Sequence, residues 1–245
     1  MKAVLAWHRE RMPILLFGLL SVYLGLAATD ASTVPQESSP LMFAVQVLAA
    51  WCLVAAFRIQ DDIYDLPRDA VRTPYRVLVG VSDLRPFWFT ALGLLTVGSL
   101  LLLVLTGWLG PALVLALAVC FDGLYRFGLG YREYWVLLKY PIIVVAIGAE
   151  HWAAPLLVYL CFGIYERIQD ESLREKPGSM LILICYFVCV GLVTVMSVNG
   201  SWWLWMVAWS ATTALSLLAY TRRLPALAPA FFVFSALVFQ GARNG

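Results

Sequence analysis

Charge is scarce in this chain: 13% of its 245 residues are Asp, Glu, Lys or Arg, while 62% are hydrophobic. That balance excludes an ordinary soluble domain. The formal net charge is only +2, and no basic run interleaved with aromatic residues occurs, so the electrostatic argument for a nucleic-acid partner is missing. Histidine is limited to His8 and His151, which fall near predicted membrane boundaries on opposite sides and cannot share a site. The five cysteines (Cys52, Cys120, Cys161, Cys185 and Cys189) all lie in apolar runs, without metal-ligand spacing or a neighbouring histidine. Cys185 and Cys189 share a helix face and are expected to pack. A soluble domain, a low-complexity tract and a strict repeat are absent as well. What remains is an all-α integral membrane protein whose natural surroundings are lipid.

Apolar segments near 12–30, 41–60, 86–106, 108–126, 133–150, 152–167, 178–198, 201–220 and 225–241 approach the ~20 residues of a helical crossing. They predict nine transmembrane helices in one domain over residues 1–245. The start, "MKAVLAWHRER" followed by "PILLFGLLSVYLGLAA", has the basic and apolar parts of a secretory signal. Its apolar run is long and its cleavage pattern near Thr29 is poor, so an uncleaved first span is expected. With the N-terminus inside, every Lys and Arg except Arg243 falls on the inner face, the distribution of an N-in, C-out protein. One miscounted helix would invert every later loop. The active side would then be cytoplasmic, in a bacterial-type inner membrane. The outer connections "TGWLGP" and "NGSWW" are short, with Trp202, Trp203 and Trp205 suited to an interfacial belt.

Against this background the stretch "RIQDDIYDLPRD" (58–69) gathers four aspartates at the end of an apolar run. Asp61, Asp65 and Asp69 recur every fourth residue and would share a face, with Asp62 turned about 100° away and Pro67 able to end or kink the helix before Asp69. Four helices later, "YERIQDE" places Glu166 and Asp170 at the same spacing on the same side. Like charges one turn apart repel. The bland reading is a solvated helix end neutralised by Arg58, Arg68, Arg72 and Arg167. The functional reading is a divalent cation, because hard oxygen ligands suit Mg²⁺, which takes one or two carboxylates plus phosphate and water oxygens. Basic residues follow each cluster: Arg68, Arg72 and Arg76, then Arg174 and Lys176. Guanidinium groups would satisfy the remaining oxygens of a Mg²⁺-bridged diphosphate. A diphosphate that enters from the bilayer with a greasy tail is an isoprenyl diphosphate.

At these residues the chain resembles the UbiA superfamily of intramembrane prenyltransferases. The family's first motif, N-D-x-x-D-x-x-x-D, is similar to Asp61-Asp62-Ile-Tyr-Asp65-Leu-Pro-Arg-Asp69, with Asp for the usual Asn. Its second, D-x-x-x-D, is similar to Glu166-Arg-Ile-Gln-Asp170, with Glu for Asp. "RVLVGVS" (76–82) looks like a shortened form of the stretch after the first motif, and "EKPGS" (175–179) resembles the basic region after the second. The resemblance implies a nine-helix bundle with a central cavity. It also implies that Asp61, Asp62, Asp65, Asp69, Glu166 and Asp170 hold Mg²⁺, with Asp61, Asp65, Glu166 and Asp170 central to catalysis. Arg68, Arg72, Arg76, Lys139, Arg174 and Lys176 would bind the diphosphate. Ionisation would leave an allylic cation that Tyr64, Tyr140 or Tyr165 faces, followed by transfer to an aromatic or lipid acceptor.

Several alternatives share parts of this pattern. "DDIYD" also matches the DDxxD of soluble isoprenyl diphosphate synthases and terpene synthases, from which hydropathy separates it. "FDGLYR" (121–126) is faintly similar to the opening of CDP-alcohol phosphotransferases, but an Asp122–Arg126 helix pair explains it more simply. Gln46, within the second helix, is expected to bond a neighbouring helix. A UbiA-type terpene cyclase begins with the same ionisation and stays open. A nonenzymatic cation carrier, which could also place acidic residues at membrane depth, stays open as a second alternative, although both clusters fall at inner helix ends with no matching acidic groups at midplane or outside.

Overall fold

The computed structural model describes residues 2–29, 39–128, 132–149 and 151–197, and parts of 209–221. The predicted spans over 201–220 and 225–241, the three belt tryptophans, Glu150, Arg222, Arg223 and Arg243 lie wholly or mostly outside the described residues. Every regular element among the described residues is helical. In chain order they are α1 (Lys2–Arg11), α2 (Ile14–Ala28), α3 (Pro40–Tyr64), α4 (Leu66–Arg72), α5 (Arg85–Thr106) and α6 (Leu109–Phe127). Then follow α7 (Arg132–Trp135), α8 (Lys139–Ala146), α9 (Ala153–Gln169), α10 (Glu171–Arg174) and α11 (Ser179–Ser197).

Three of these, α3, α5 and α6, are long and apolar enough to cross a membrane. Such helices mark a membrane protein. Counting α1 and α2 as one broken span would add a fourth, bent by 68°. The sequence expectation of one helix near 12–30 meets Pro13 here, which has no backbone N–H to continue α1 and bends the chain. The single continuous helix expected over 133–150 is likewise broken into α7, a 3₁₀ turn at Val136–Leu138 and the short α8. Starting α8 at Lys139 puts Pro141 in its first turn, where the missing donor costs nothing, and the segment stops before Gly148 at φ 114°.

The chain divides into two compact units. The first comprises Met1–Gly25, Ser38–Arg132 and Ala146–Gly148. Its axis is α3, which begins at Ser39, whose Oγ accepts the Leu41 N–H at 3.2 Å, with Pro40 pre-set for the first turn. From Ala49 to Ile63 almost every α3 side chain is buried, so the helix is surrounded rather than exposed on one side. Gly98 of α5 permits the close approach: a Cβ there would lie 2.8 Å from Leu53 Cδ2. Trp7, Met12, Ala55, Ile59, Ile63, Leu78, Phe87 and Ala91 form the core at the Asp-bearing end of α3. Within this unit Gln46 Nε2 donates at 3.2 Å to the carbonyl of Ile147, in the turn after α8 rather than on a neighbouring helix.

The second unit comprises Leu26–Glu37, Glu133–Val145 and Ala149–Gly245. Its core joins α9 to α11 through Leu157, Leu160, Cys161, Ile164, Leu183, Tyr186, Phe187 and Val190. Gly163 makes room for Tyr186, since a Cβ at 163 would stand 2.6 Å from Tyr186 Cε2. Cys185 and Cys189 do not pack into this core; both are exposed free thiols on α11.

Candidate active site

The helical hydrogen-bond pattern carries on through the aspartates even though the helix breaks. Asp65 N–H bonds the Asp61 carbonyl at 2.9 Å, and Asp69 N–H bonds the Asp65 carbonyl at 2.8 Å. Asp65 itself closes α3 at φ −83°, ψ −8°, and Pro67 stands in the first turn of α4. The predicted interruption near Pro67 is therefore present, two residues earlier. Its consequence is that the four carboxylates meet different neighbours.

Asp62 faces α1. Its Oδ2 accepts Trp7 Nε1 at 2.8 Å and Arg11 Nε at 3.0 Å, while Oδ1 accepts Arg11 Nη2 at 2.8 Å. Arg58 Nε lies 3.7 Å from the same Oδ1. Asp69 is buried against Arg76, which donates to Oδ2. Asp61 and Asp65 turn instead toward α6 and the first residue of α7. Tyr125 O–H donates to Asp61 Oδ1, and Arg132 Nη1 donates to Asp65 Oδ1 at 2.6 Å. The Arg132 guanidinium also sits over the Tyr125 ring at 4.7 Å.

A second tyrosine completes a crossed pair. Tyr64 of α3 donates to Asp122 of α6, while Tyr125 of α6 donates to Asp61 of α3; the two rings stack at 4.7 Å with planes 12° apart. Asp122 also forms the expected pair with Arg126 at 2.8 Å. Asp65 differs from its neighbours in electrostatics. Burial pushes its carboxyl above the usual carboxylate range; Arg132 and Arg68 act against that rise, and the adjacent Asp61 charge adds to it.

Comparison with known proteins adds no relative to this picture. The chain matches no family model, no curated protein and no solved structure.

The predicted basic residues of the first cluster separate by exposure. Arg68 and Arg72 are exposed on α4, whereas Arg76 is half-buried and engaged by Asp69. Among the described residues no group of three carboxylate, imidazole or thiol side chains forms a ready metal cage. Asp61 and Asp65 nevertheless offer hard oxygens one turn apart, the number of carboxylates Mg²⁺ takes when phosphate and water complete its shell. A guanidinium already stands on one of them as a cation. The donor set fits a phosphate-assisted Mg²⁺ site.

In the second unit, Glu166 lies in the last turn of α9 and Asp170 ends that helix in extended geometry, φ −84°, ψ 110°. The Asp170 N–H still bonds the Glu166 carbonyl at 2.7 Å. Nearby Arg174 pairs with Glu171 at 3.5 Å, and Lys176 donates to Glu133. Burial acts to raise the Glu133 carboxyl, but the Lys176 bond outweighs it and holds the group below its ordinary value. Lys139 is buried at 2% exposure, with its Nζ 5.8 Å from the centre of the Tyr140 ring. Tyr140 in turn stacks on Phe162, and Tyr165 packs against the α9–α11 core.

Four residues escaped the sequence reading: Trp7, Arg11, Tyr125 and Arg132. Only Tyr125 had a usable signal, since Asp122 and Tyr125 are three apart at the end of α6, and Asp122 falls in the same quoted stretch. Arg167 was expected as a surface counter-ion. It is instead 3% exposed, donating to Ser179 Oγ at 3.2 Å and Tyr134 O–H at 2.8 Å.

Proposed function

We propose that this chain is a Mg²⁺-dependent intramembrane prenyltransferase of the UbiA type, which ionises an isoprenyl diphosphate and transfers the prenyl group to an aromatic or lipid acceptor. The observation that carries the reading is the Asp61–Asp65 pair. A buried carboxylate, Asp61, and a half-buried one, Asp65, stand one turn apart where a membrane-spanning helix ends, with the exposed basic residues Arg68 and Arg72 following at once. A helix end that needed only solubility would not bury its like charges side by side.

Bound Mg²⁺ would supply Lewis-acid stabilisation of the departing diphosphate. Asp61 and Asp65 hold it in the first unit, and Glu166 and Asp170 offer the same oxygen chemistry in the second. Arg68 and Arg72, free to reach outward from α4, donate to phosphate oxygens and stabilise the charge that grows as the C–O bond breaks. Arg174, Lys176 and Lys139 take the same part in the second unit. Asp62 and Asp69, engaged by Arg11 and Arg76, brace the fold at the α3–α4 junction and take no part in holding the ion. Tyr64, whose ring stacks on Tyr125 beside this pair, is the ring that would face an allylic cation. The reading includes nine spans, N-in and C-out, in a bacterial-type inner membrane with the acidic ends cytoplasmic; the one-sided Lys and Arg distribution supports it.

The test is mass spectrometry of products after purified protein is incubated with geranyl, farnesyl or geranylgeranyl diphosphate, Mg²⁺ and a panel of aromatic and lipid acceptors. A Mg²⁺-dependent prenylated acceptor is expected. Cyclic hydrocarbons or terpene alcohols formed without acceptor would replace transfer by cyclisation, and no product from any donor would overturn the enzyme reading.

A further inference from the structure

Three of the aspartates in the first cluster contact an arginine from another segment, and the three contacts are unlike. Asp62 has a side chain 4% exposed and uses both oxygens on three donors from α1. Asp69, 11% exposed, meets Arg76 only seven residues on, across the short turn after α4. Both are built into the fold. Asp65 is 21% exposed and its partner Arg132 is 30% exposed; a single Nη1–Oδ1 bond of 2.6 Å joins them.

Arg132, the first residue of α7, stands beside the C-terminal end of α6, which closes at Gly128 in the left-handed conformation, φ 61°, ψ 35°. There it lies on the Tyr125 ring, whose own hydroxyl is on Asp61. One tyrosine and one arginine from adjoining turns thus cover the two carboxylates that repel each other.

We propose that Arg132 is the tethered counter-cation of the metal site: its guanidinium and a divalent ion compete for the Asp65 carboxylate, and the ion binds by displacing it. This rests on the reading of Asp61 and Asp65 as metal ligands. A guanidinium satisfies a carboxylate with directed N–H bonds and one positive charge; a divalent ion brings two, and so neutralises Asp61 and Asp65 together. The exchange needs no backbone movement at Asp65, which is held by its bonds within the α3–α4 junction. Arg132 is a positioning residue, and its effect is on metal affinity rather than on a reacting atom.

The experiment is a Mn²⁺ titration of the purified protein followed by electron paramagnetic resonance, with inorganic pyrophosphate present to complete the ion's shell. Arg132→Gln, which removes the competing cation, should tighten Mn²⁺ about two- to fivefold, the range expected from losing a partly exposed ion pair. Arg132→Lys should stay near wild type because it keeps a cation in place. Asp65→Asn should weaken Mn²⁺ binding in either background. Equal affinity of wild type and Arg132→Gln, with binding still lost in Asp65→Asn, would overturn the exchange and leave the metal site standing. Weaker binding in Arg132→Gln together with a lowered thermal midpoint would make Arg132 a structural brace and overturn it too. Mn²⁺ binding unaffected by Asp65→Asn, or no binding at all, would remove both the exchange and the metal reading beneath it.

Discussion

Asp62→Ala is expected to weaken the fold while leaving the metal site in place, although Asp62 sits in the middle of the acidic motif. Its carboxylate accepts three hydrogen bonds from Trp7 and Arg11 at 2.8 to 3.0 Å, with Arg58 3.7 Å away. The side chain is 4% exposed and that of Arg11 is 19% exposed, so the pair lies much closer to the buried than to the surface limit. Removing one partner of a buried pair costs about 3–5 kcal/mol, against ~0–1 kcal/mol for an exposed one. Allowing for the partial access of water to Arg11, roughly 2–4 kcal/mol is expected. Asp62→Asn keeps an acceptor for Trp7 and should lose about half of that. Trp7→Phe, which removes one donor to a charged acceptor but keeps most of the ring volume, should cost roughly 1.5–3 kcal/mol. The assay is unfolding of the purified protein in detergent, paired with Mn²⁺ affinity. Unchanged stability of Asp62→Ala would refute the reasoning, as would loss of Mn²⁺ affinity from a folded Asp62→Asn protein.

Other expectations follow from the same geometry. Asp65→Ala and Asp170→Ala should each abolish Mg²⁺-dependent turnover while membrane insertion, read by fractionation, is unchanged; undiminished turnover would remove that residue from the mechanism. Gly163→Ala should destabilise by about 1–3 kcal/mol, because its Cβ meets the Tyr186 ring at 2.6 Å, and thermal unfolding reads the loss. The Glu133–Lys176 pair depresses the Glu133 carboxyl, so its contribution is complete above that group's ordinary value of 4.5 and disappears as pH falls through the depressed one. With Lys176 49% exposed the effect should stay below about 1 kcal/mol, seen as an acid-side slope in thermal midpoint that Glu133→Gln removes.

The parts of the fold that were legible in the sequence are those governed by hydropathy and caps. The segments near 41–60, 86–106 and 108–126 correspond to α3, α5 and α6, because an apolar run between Pro40 and the aspartates, or between Pro86 and Gly128, leaves few other conformations. Breaks inside apolar runs were harder to see. Pro13 and Pro141 lie in segments hydrophobic enough to read as continuous, yet each resets the backbone hydrogen-bonding pattern.

At the site, the spacing of Asp61 and Asp65 was readable because they belong to one helix. The division of labour among the four aspartates was not, since it depends on residues 51 to 67 positions away in sequence: Trp7, Arg11, Tyr125 and Arg132. Local periodicity predicts which face a side chain takes and is silent about which distant donor waits there. Arg167 shows the converse: its charge suggested solvent, and only packing against Tyr134 and Tyr186 explains its burial.

The central claim is that Asp61 and Asp65 hold a divalent ion which drives diphosphate departure. It is tested most directly by measuring inorganic pyrophosphate released from geranyl, farnesyl and geranylgeranyl diphosphates by the protein in nanodiscs supplied with membrane lipid extract and aromatic acceptors. Release that requires Mg²⁺, persists in folded Asp62→Asn protein and vanishes in Asp61→Asn and Asp65→Asn is the predicted result. Release indifferent to Mg²⁺ or to those two carboxylates, or no release from any of the three donors, would contradict it.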